Sequence, residues 1–565
     1  MKHTGPISGV ATLGEDFVAT AGYDNQVILW DAGTGDPLHR VFHDHLANQC
    51  TFSPSGGFLA TASSDYTARI WDVPSLRLRA VLNGHDDDIE MVAVSPDSTR
   101  VATCSRDHTV GVYDLDGRRL HRLRGHEADV ISVAWDAGGV KLITSSDDGT
   151  VRSWDAVDGL EIGRVELDGV ETDTIAVSDR GVIYAGNDEG EIVVIRDGAP
   201  DRVPAHRAGV KRVMLSGSGN LLASLSYDRT LMLWSVGAAG ELTRFATSDL
   251  PPIVWPRSCA FLGRSKVVFG TFGSKYATYD YVTDGWDVSG IEAPSGFNAV
   301  AHLDGSVYAI GDAGALHRDG VAVRDLGSLC NFLLPLDRHL VTGGQLGICF
   351  DAMTGERLYQ HNSPLNCAAA FERDGVSHVV VGAYTGEGIV FRQEEGRLVH
   401  LRNLRLHDNA VKGVAASADT IFSVCATGAA AWHRIDDFSR VAQVEDAHDK
   451  IANGCATLPP NRFASISRDL RLRIWDGQRS RICTTPSHNS IKCIAASRDG
   501  RYIACGTYVG VIMVFDVHTG QWTHVSRPVA SGISCITVAP GEGTFTASSY
   551  DGKLHTVRVG QGGPA

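Results

Sequence analysis

A short motif ending in an aromatic residue and an aspartate returns along this chain at a step of about forty residues. Ser64-Asp65-Tyr66-Thr67-Ala68-Arg69-Ile70-Trp71-Asp72 comes back as Ser105-Arg106-Asp107-His108-Thr109-Val110-Gly111-Val112-Tyr113-Asp114. It returns again as Ser146-Asp147-Asp148-Gly149-Thr150-Val151-Arg152-Ser153-Trp154-Asp155, and late in the chain as Ser467-Arg468-Asp469-Leu470-Arg471-Leu472-Arg473-Ile474-Trp475-Asp476. A unit of that length holds four short strands with their turns and cannot bury its apolar face alone, so units must stack. The sequence therefore describes an array of β-propeller blades, and the fold class is all-β.

With the residue at the tryptophan position as the marker, blades fall at Trp30, Trp71, Tyr113, Trp154, Ile195, Trp234, Tyr279, Arg318, Phe350, Phe391, Trp432, Trp475, Phe515 and Val557. Most steps are 39 to 43 residues; the two around Tyr279 are uneven, at 45 and 39, and the 32-residue step from Arg318 to Phe350 departs from the rule. Fourteen blades in one ring would leave a wide central hole. The count reads as two tandem seven-bladed β-propellers, residues 1–292 and 293–565, with degenerate repeats at the start of the second. The join is placed at Glu292-Ala293-Pro294-Ser295-Gly296, where Pro and Gly interrupt the strands. Pro54-Ser55-Gly56-Gly57, Pro96-Asp97-Ser98 and Arg498-Asp499-Gly500 are hairpin turns of residues that tolerate tight backbone angles. Only Gly560 to Ala565 follow the last apolar strand, so the fourteenth blade is expected to have three strands or to borrow an outer one.

The 565 residues exceed one hydrophobic core, and two domains of about 280 residues suit the usual domain size. No apolar run is long enough to span a bilayer, and Met1 to Ile7 lead straight into the first repeat without a secretory leader. The expectation is a cytoplasmic protein with no membrane contact. Twelve cysteines read as small buried hydrophobes; Cys50, Cys259 and Cys455 share one repeat position. No CxxC pair occurs, so no metal and no cofactor are expected. Charge is uneven: residues 1–292 carry 26 Lys and Arg against 41 Asp and Glu, while residues 293–565 carry 25 against 25. Without a basic face, nucleic acid is excluded as a general partner.

These motifs resemble those of the WD-repeat family, and the resemblance covers essentially the whole chain. It implies blades locked by a hydrogen-bonded set: a His before the innermost strand, an Asp in the turn between the second and third strands, a Trp in the third strand, and commonly a Ser or Thr. The matching residues are His3, Asp24, Trp30; His43, Asp65, Trp71; His126, Asp148, Trp154; His206, Asp228, Trp234; and His448, Asp469, Trp475, with His85 and Asp107 beside Tyr113. Blades at Ile195, Tyr279, Arg318, Phe350 and Phe391 lack the set, and the Trp432 blade keeps His407 but places Ala426 at the Asp position. A His–Asp pair that recurs around a ring is a structural device, since a catalytic site seldom recurs.

Signatures of catalysis and nucleotide binding are missing: GxxxxGK[ST], HExxH, GxSxG and GxGxxG do not occur. The expectation is a protein that is not an enzyme. His43-Asp44-His45 has a metal-like look, but His43 belongs to a lock. The acidic stretch from Glu166 to Asp173, Asp188-Glu189-Gly190-Glu191, and Arg118, Arg119, Arg122 and Arg124 read as charged strand edges. One position stands apart. Seven residues before the marker stand Tyr23, Tyr227, Phe272, Tyr384, Tyr508 and Tyr550, with Arg106 and Arg468 in two more blades. The resemblance places this turn at the mouth of the central channel, a frequent protein-binding face, and Tyr and Arg are enriched in binding hot spots. These eight are the candidate contacts of a scaffold or adaptor for unidentified proteins. Other readings are a bacterial signalling or defence adaptor, an actin-filament disassembly cofactor like the double-propeller actin-interacting proteins, and a propeller enzyme with a channel metal site.

Overall fold

The computed structural model describes residues 1–293 and 296–559, so Pro294, Ser295 and the Gly560 to Ala565 tail lie outside it. The described residues form 55 strands and no helix. Thirteen four-stranded sheets and one three-stranded sheet, β53 (Ile533–Val538), β54 (Thr544–Ser549) and β55 (Leu554–Arg558), are antiparallel meanders of sequence neighbours. The first sheet shows the burial gradient. β1 (Ile7–Leu13), β2 (Phe17–Gly22) and β3 (Gln26–Asp31) are almost wholly buried, while β4 (Pro37–Phe42) is largely exposed. Apolar inner strands thus line the axis, and polar outer strands meet water.

Two compact units comprise Met1–Pro294 and Ser295–Ala565. Within the first, β1 packs against β5 (Ala47–Phe52) and also β25 (Val254–Leu262), so the first and last sheets meet. Within the second, β29 (Phe297–Leu303) packs against β33 (Cys330–Leu336) and β53. The core lies between neighbouring blades. Ala19, Val27 and Leu29 meet Cys50, Leu59 and Trp71; Ile7, Val18 and Trp30 meet Ala260, Val268 and Tyr276 where the first unit closes. Full burial of each large side chain contributes about 1.5–3 kcal/mol. The twelve cysteines are free and eight are buried. Cys50, Cys259 and Cys455 face Thr61, Phe269 and Ser465 at one register position.

Two backbone features repeat. In every blade the N–H of the first turn residue donates to a carbonyl at the start of the inner strand, as Tyr23 does to Pro6, Arg106 to Asp88 and Tyr550 to Gly532. In every blade the inner strand also carries a bulge beside that carbonyl, at Ser8, Asn48 and Glu90 in the first three. The turn bond fixes the register and corrects three markers. Asp312, Gln345 and Ala426 make it in the eighth, ninth and eleventh blades. The residues equivalent to Trp30 are therefore Asp319, Ala352 and His433. Arg318 and Trp432 stand one residue early, Phe350 two, and the Asp position of the eleventh blade is Thr427 rather than Ala426. Without a complete lock, the aromatic pattern alone could not choose among adjacent residues.

Candidate functional site: the channel mouths

The locks are relays with one direction. The Trp71 indole N–H donates to Thr61 Oγ1 at 2.9 Å, and that hydroxyl donates to His43 Nε2 at 2.7 Å. His43 Nδ1 donates to Asp65 Oδ2 at 3.0 Å, and Asp65 also accepts the backbone N–H groups of Asp44 and Thr67. Burial lowers the His43 pKa, so the imidazole is neutral and the tautomer follows from the network. Burial opposes ionisation of Asp65, but the bonds from His43 and Thr67 outweigh it and hold the carboxyl well below the usual range. His126, Thr144, Trp154 and Asp148 repeat the relay, as do His448, Ser465, Trp475 and Asp469. In the sixth blade His206 and Trp234 share Ser224, and Thr230 stands between His206 and Asp228. The first blade repeats it in full through His3, Thr20, Trp30 and Asp24, whereas the third carries only the His–Thr–Asp part, with the Tyr113 hydroxyl turned to the Asn83 carbonyl. Every polar atom of these relays is occupied in holding the blade. Trp432, out of register, packs on Phe422 and Trp475, and its indole nitrogen has no partner among the described residues.

At the mouth of the first unit, turn residues meet bulge residues. Tyr23 stands edge-on to Trp255 with centroids 5.1 Å apart, and Arg257 lies 6.0 Å over its ring. Arg106 is held by Glu90 at 2.6 Å and by Asp129. Tyr227 faces Lys211 Nζ at 4.9 Å, and that ammonium also meets Asp173 and Asp188. Burial pushes the Asp173 carboxyl up to about 6, against Lys211 and with the aid of Asp188. Burial and Glu171 raise Asp147 well above the usual range. Phe272 is the exception among the predicted contacts. It is 3% exposed and covered by Trp255, 5.4 Å away, so it closes the neighbouring turn instead of offering a face. The expected charged edges divide: Arg119 lies on the exposed outer strand β12 (Arg119–Arg124), whereas Asp173 and Asp188 belong to the mouth.

At the mouth of the second unit, Tyr384, Arg468, Tyr508 and Tyr550 are half-buried. Lys412 Nζ lies 4.1 Å over Tyr384; Arg468 Cζ and Lys492 Nζ lie 5.4 and 5.7 Å from the centre of Tyr508. Asp312 is 6% exposed, accepts a bond from Asn298 at 2.8 Å, and is pushed up to about 6 by burial. The turn positions were legible from the sequence; the bulge positions were not, because a bulge breaks the alternation by which strands are read. A signal existed. Asn48, Asn298, Asn331, Asn366 and Asn453 recur at the bulge and bond a carbonyl of the following blade's inner strand. Among the described residues no group of three or more His, Cys, Asp or Glu is placed to hold a metal ion.

Comparison with known proteins accords with this architecture. The model of the WD domain, G-beta repeat, matches residues 35–72, 76–114, 117–155, 200–235 and 479–516. A guanine nucleotide-binding protein subunit beta of Arabidopsis thaliana is 28% identical over 253 residues, which cover 39% of this chain and 66% of that protein. Target of rapamycin complex subunit wat1 of Schizosaccharomyces pombe is 26% identical over 233 residues, 39% of this chain and 74% of that one. Nuclear distribution protein PAC1 of Arthroderma benhamiae is 32% identical over 173 residues, 26% of this chain and 37% of its own.

Proposed function

We propose that this chain, whose sheets form an all-β propeller fold and five of whose repeats match the WD domain, is a non-catalytic WD-repeat scaffold that binds other proteins through the channel mouths of two seven-bladed propellers, residues 1–292 and 293–565. The observation that carries the reading is the ring of half-buried Tyr and Arg side chains at one symmetric turn position, which blade packing does not require. The relays supply the contrast, because their His and Asp atoms are bonded within the blades and are not offered at the mouths. The similar proteins lend support, since two of the three are named as subunits, one of the target of rapamycin complex and one of a guanine nucleotide-binding protein. Two mouths on one chain allow bivalent capture, which raises avidity where the spacing suits the target. No particular residue favours the actin or the signalling-adaptor reading. Purification of the tagged chain from its own host, followed by mass spectrometry, tests the proposal. A stoichiometric protein partner is the expected result; a chain that purifies alone with a tightly bound metal ion would point instead to an enzyme.

A further inference from the structure

The turn and bulge positions that ring the two mouths can be compared one for one. In the first unit they carry Glu90, Asp147, Asp173 and Asp188 against Arg106, Lys211 and Arg257, the last on the wide bulge of the seventh blade. In the second they carry Lys412, Arg468 and Lys492 against Asp312 alone. By formal charge the second mouth is thus clearly basic whereas the first is near balance, although residues 293–565 as a whole have equal numbers of basic and acidic side chains. The three cations of the second mouth are grouped and rest on aromatic faces: Lys412 on Tyr384, Arg468 and Lys492 on Tyr508. A cation on a ring keeps its charge while its stem is held in place. Tyr508 registers the result. Burial acts to raise its phenol pKa, yet Lys492, Arg468 and Lys412 bring it below the usual value.

A cluster of cations resting on tyrosine rings suits an extended chain with several carboxylates, because the guanidinium and ammonium groups receive the charges and the rings receive the backbone and methylenes. Three cations over a few blades are too narrow a basic surface for a nucleic acid backbone. We propose that the mouth of the second unit is a receptor for an acidic peptide segment of a partner protein, with Lys412, Arg468 and Lys492 as its carboxylate contacts. The proposal rests on the reading of the mouths as partner surfaces and adds the chemistry of the partner.

The test is fluorescence anisotropy of a labelled oligoglutamate peptide titrated with the full chain, with an oligoglutamine peptide and inorganic phosphate as comparisons. Saturable binding of oligoglutamate is expected, weakening as salt rises, without binding of oligoglutamine. Lys412→Gln and Arg468→Gln should each weaken it about tenfold. Lys412→Arg should retain it, which separates loss of charge from loss of fold, and Arg119→Gln on the outer strand should leave it unchanged. The inference is overturned if oligoglutamate fails to bind, if both Gln variants bind it as the parent does, or if inorganic phosphate displaces it at equal concentration. Should the Gln variants be silent while Tyr508→Ala abolishes capture of the natural partner, the mouth remains the binding surface and only the acidic chemistry falls.

Discussion

At the residue scale, the strongest commitments of this fold are buried ions and imidazoles, and their locations follow from repetition. His126, Asp148 and Trp154 were legible because the same spacing returns around the ring, and the structure adds Thr144 as the hydroxyl between imidazole and indole. Asp148→Ala is expected to cost about 1–3 kcal/mol by leaving buried donors unpaired. Glu189→Ala, at an exposed turn without a relay, should cost far less; equal losses in a denaturant series would remove the claim that relays set blade rigidity. Asp312 behaves in the opposite sense. Burial raises its pKa to about 6, so it adds stability while protonated and loses it as pH rises through that value. Asp312→Asn stays neutral and still accepts from Asn298. Its stability relative to the parent should grow by about 2 kcal/mol between about pH 4 and about pH 7.5. Thermal or urea unfolding at the two pH values checks this, and a difference independent of pH would contradict the assignment.

At the element scale, the turn between the second and third strands shows why some blades were easy to read. In the six blades with a His–Asp pair, the residue after the lock aspartate has positive φ and need not be glycine: it is Asn25, Tyr66, His108, Arg229 and Leu470 in five, and Gly149 in the fourth blade. The aspartate accepts the N–H two residues on and holds the strained turn, as Asp469 does with Arg471 at 2.9 Å. In seven blades that lack the His–Asp pair, glycine takes the position, at Gly190, Gly314, Gly347, Gly386, Gly428, Gly510 and Gly552. Gly190 also sits against the His206 carbonyl, which a Cβ would strike. Gly190→Ala should therefore cost more than about 1–2 kcal/mol, while Leu470→Gly should be neutral or stabilising by up to about 1 kcal/mol. Comparable losses for both in one unfolding series would mean that the relay does not hold the turn. The same contrast explains the misread markers. Arg318, Phe350 and Trp432 lie in blades where no aspartate–tryptophan pair anchors the register, so apolar periodicity alone left a choice of one or two residues.

At the scale of the whole molecule, blade number and strand order were present in the sequence as spacing, whereas the character of the mouths was not. Tyr227 and Tyr508 announced themselves by position. Their neighbours Lys211 and Lys492 stand on bulges, and only the folded chain brings the cations of the second mouth onto its tyrosine rings. The central claim is that the mouths, and not the outer edges of the blades, hold the partner. Its most direct measurement is the affinity of the purified partner for Tyr227→Ala, Tyr508→Ala, the double variant and Arg119→Ala, with thermal unfolding of each. Each single Tyr variant should weaken binding by at least about 1–2 kcal/mol with nearly unchanged unfolding. A bivalent partner should lose more from the double variant, and Arg119→Ala should bind as the parent does. Loss of binding in Arg119→Ala with silence in both Tyr variants would place the contact along the blade edges and contradict the account.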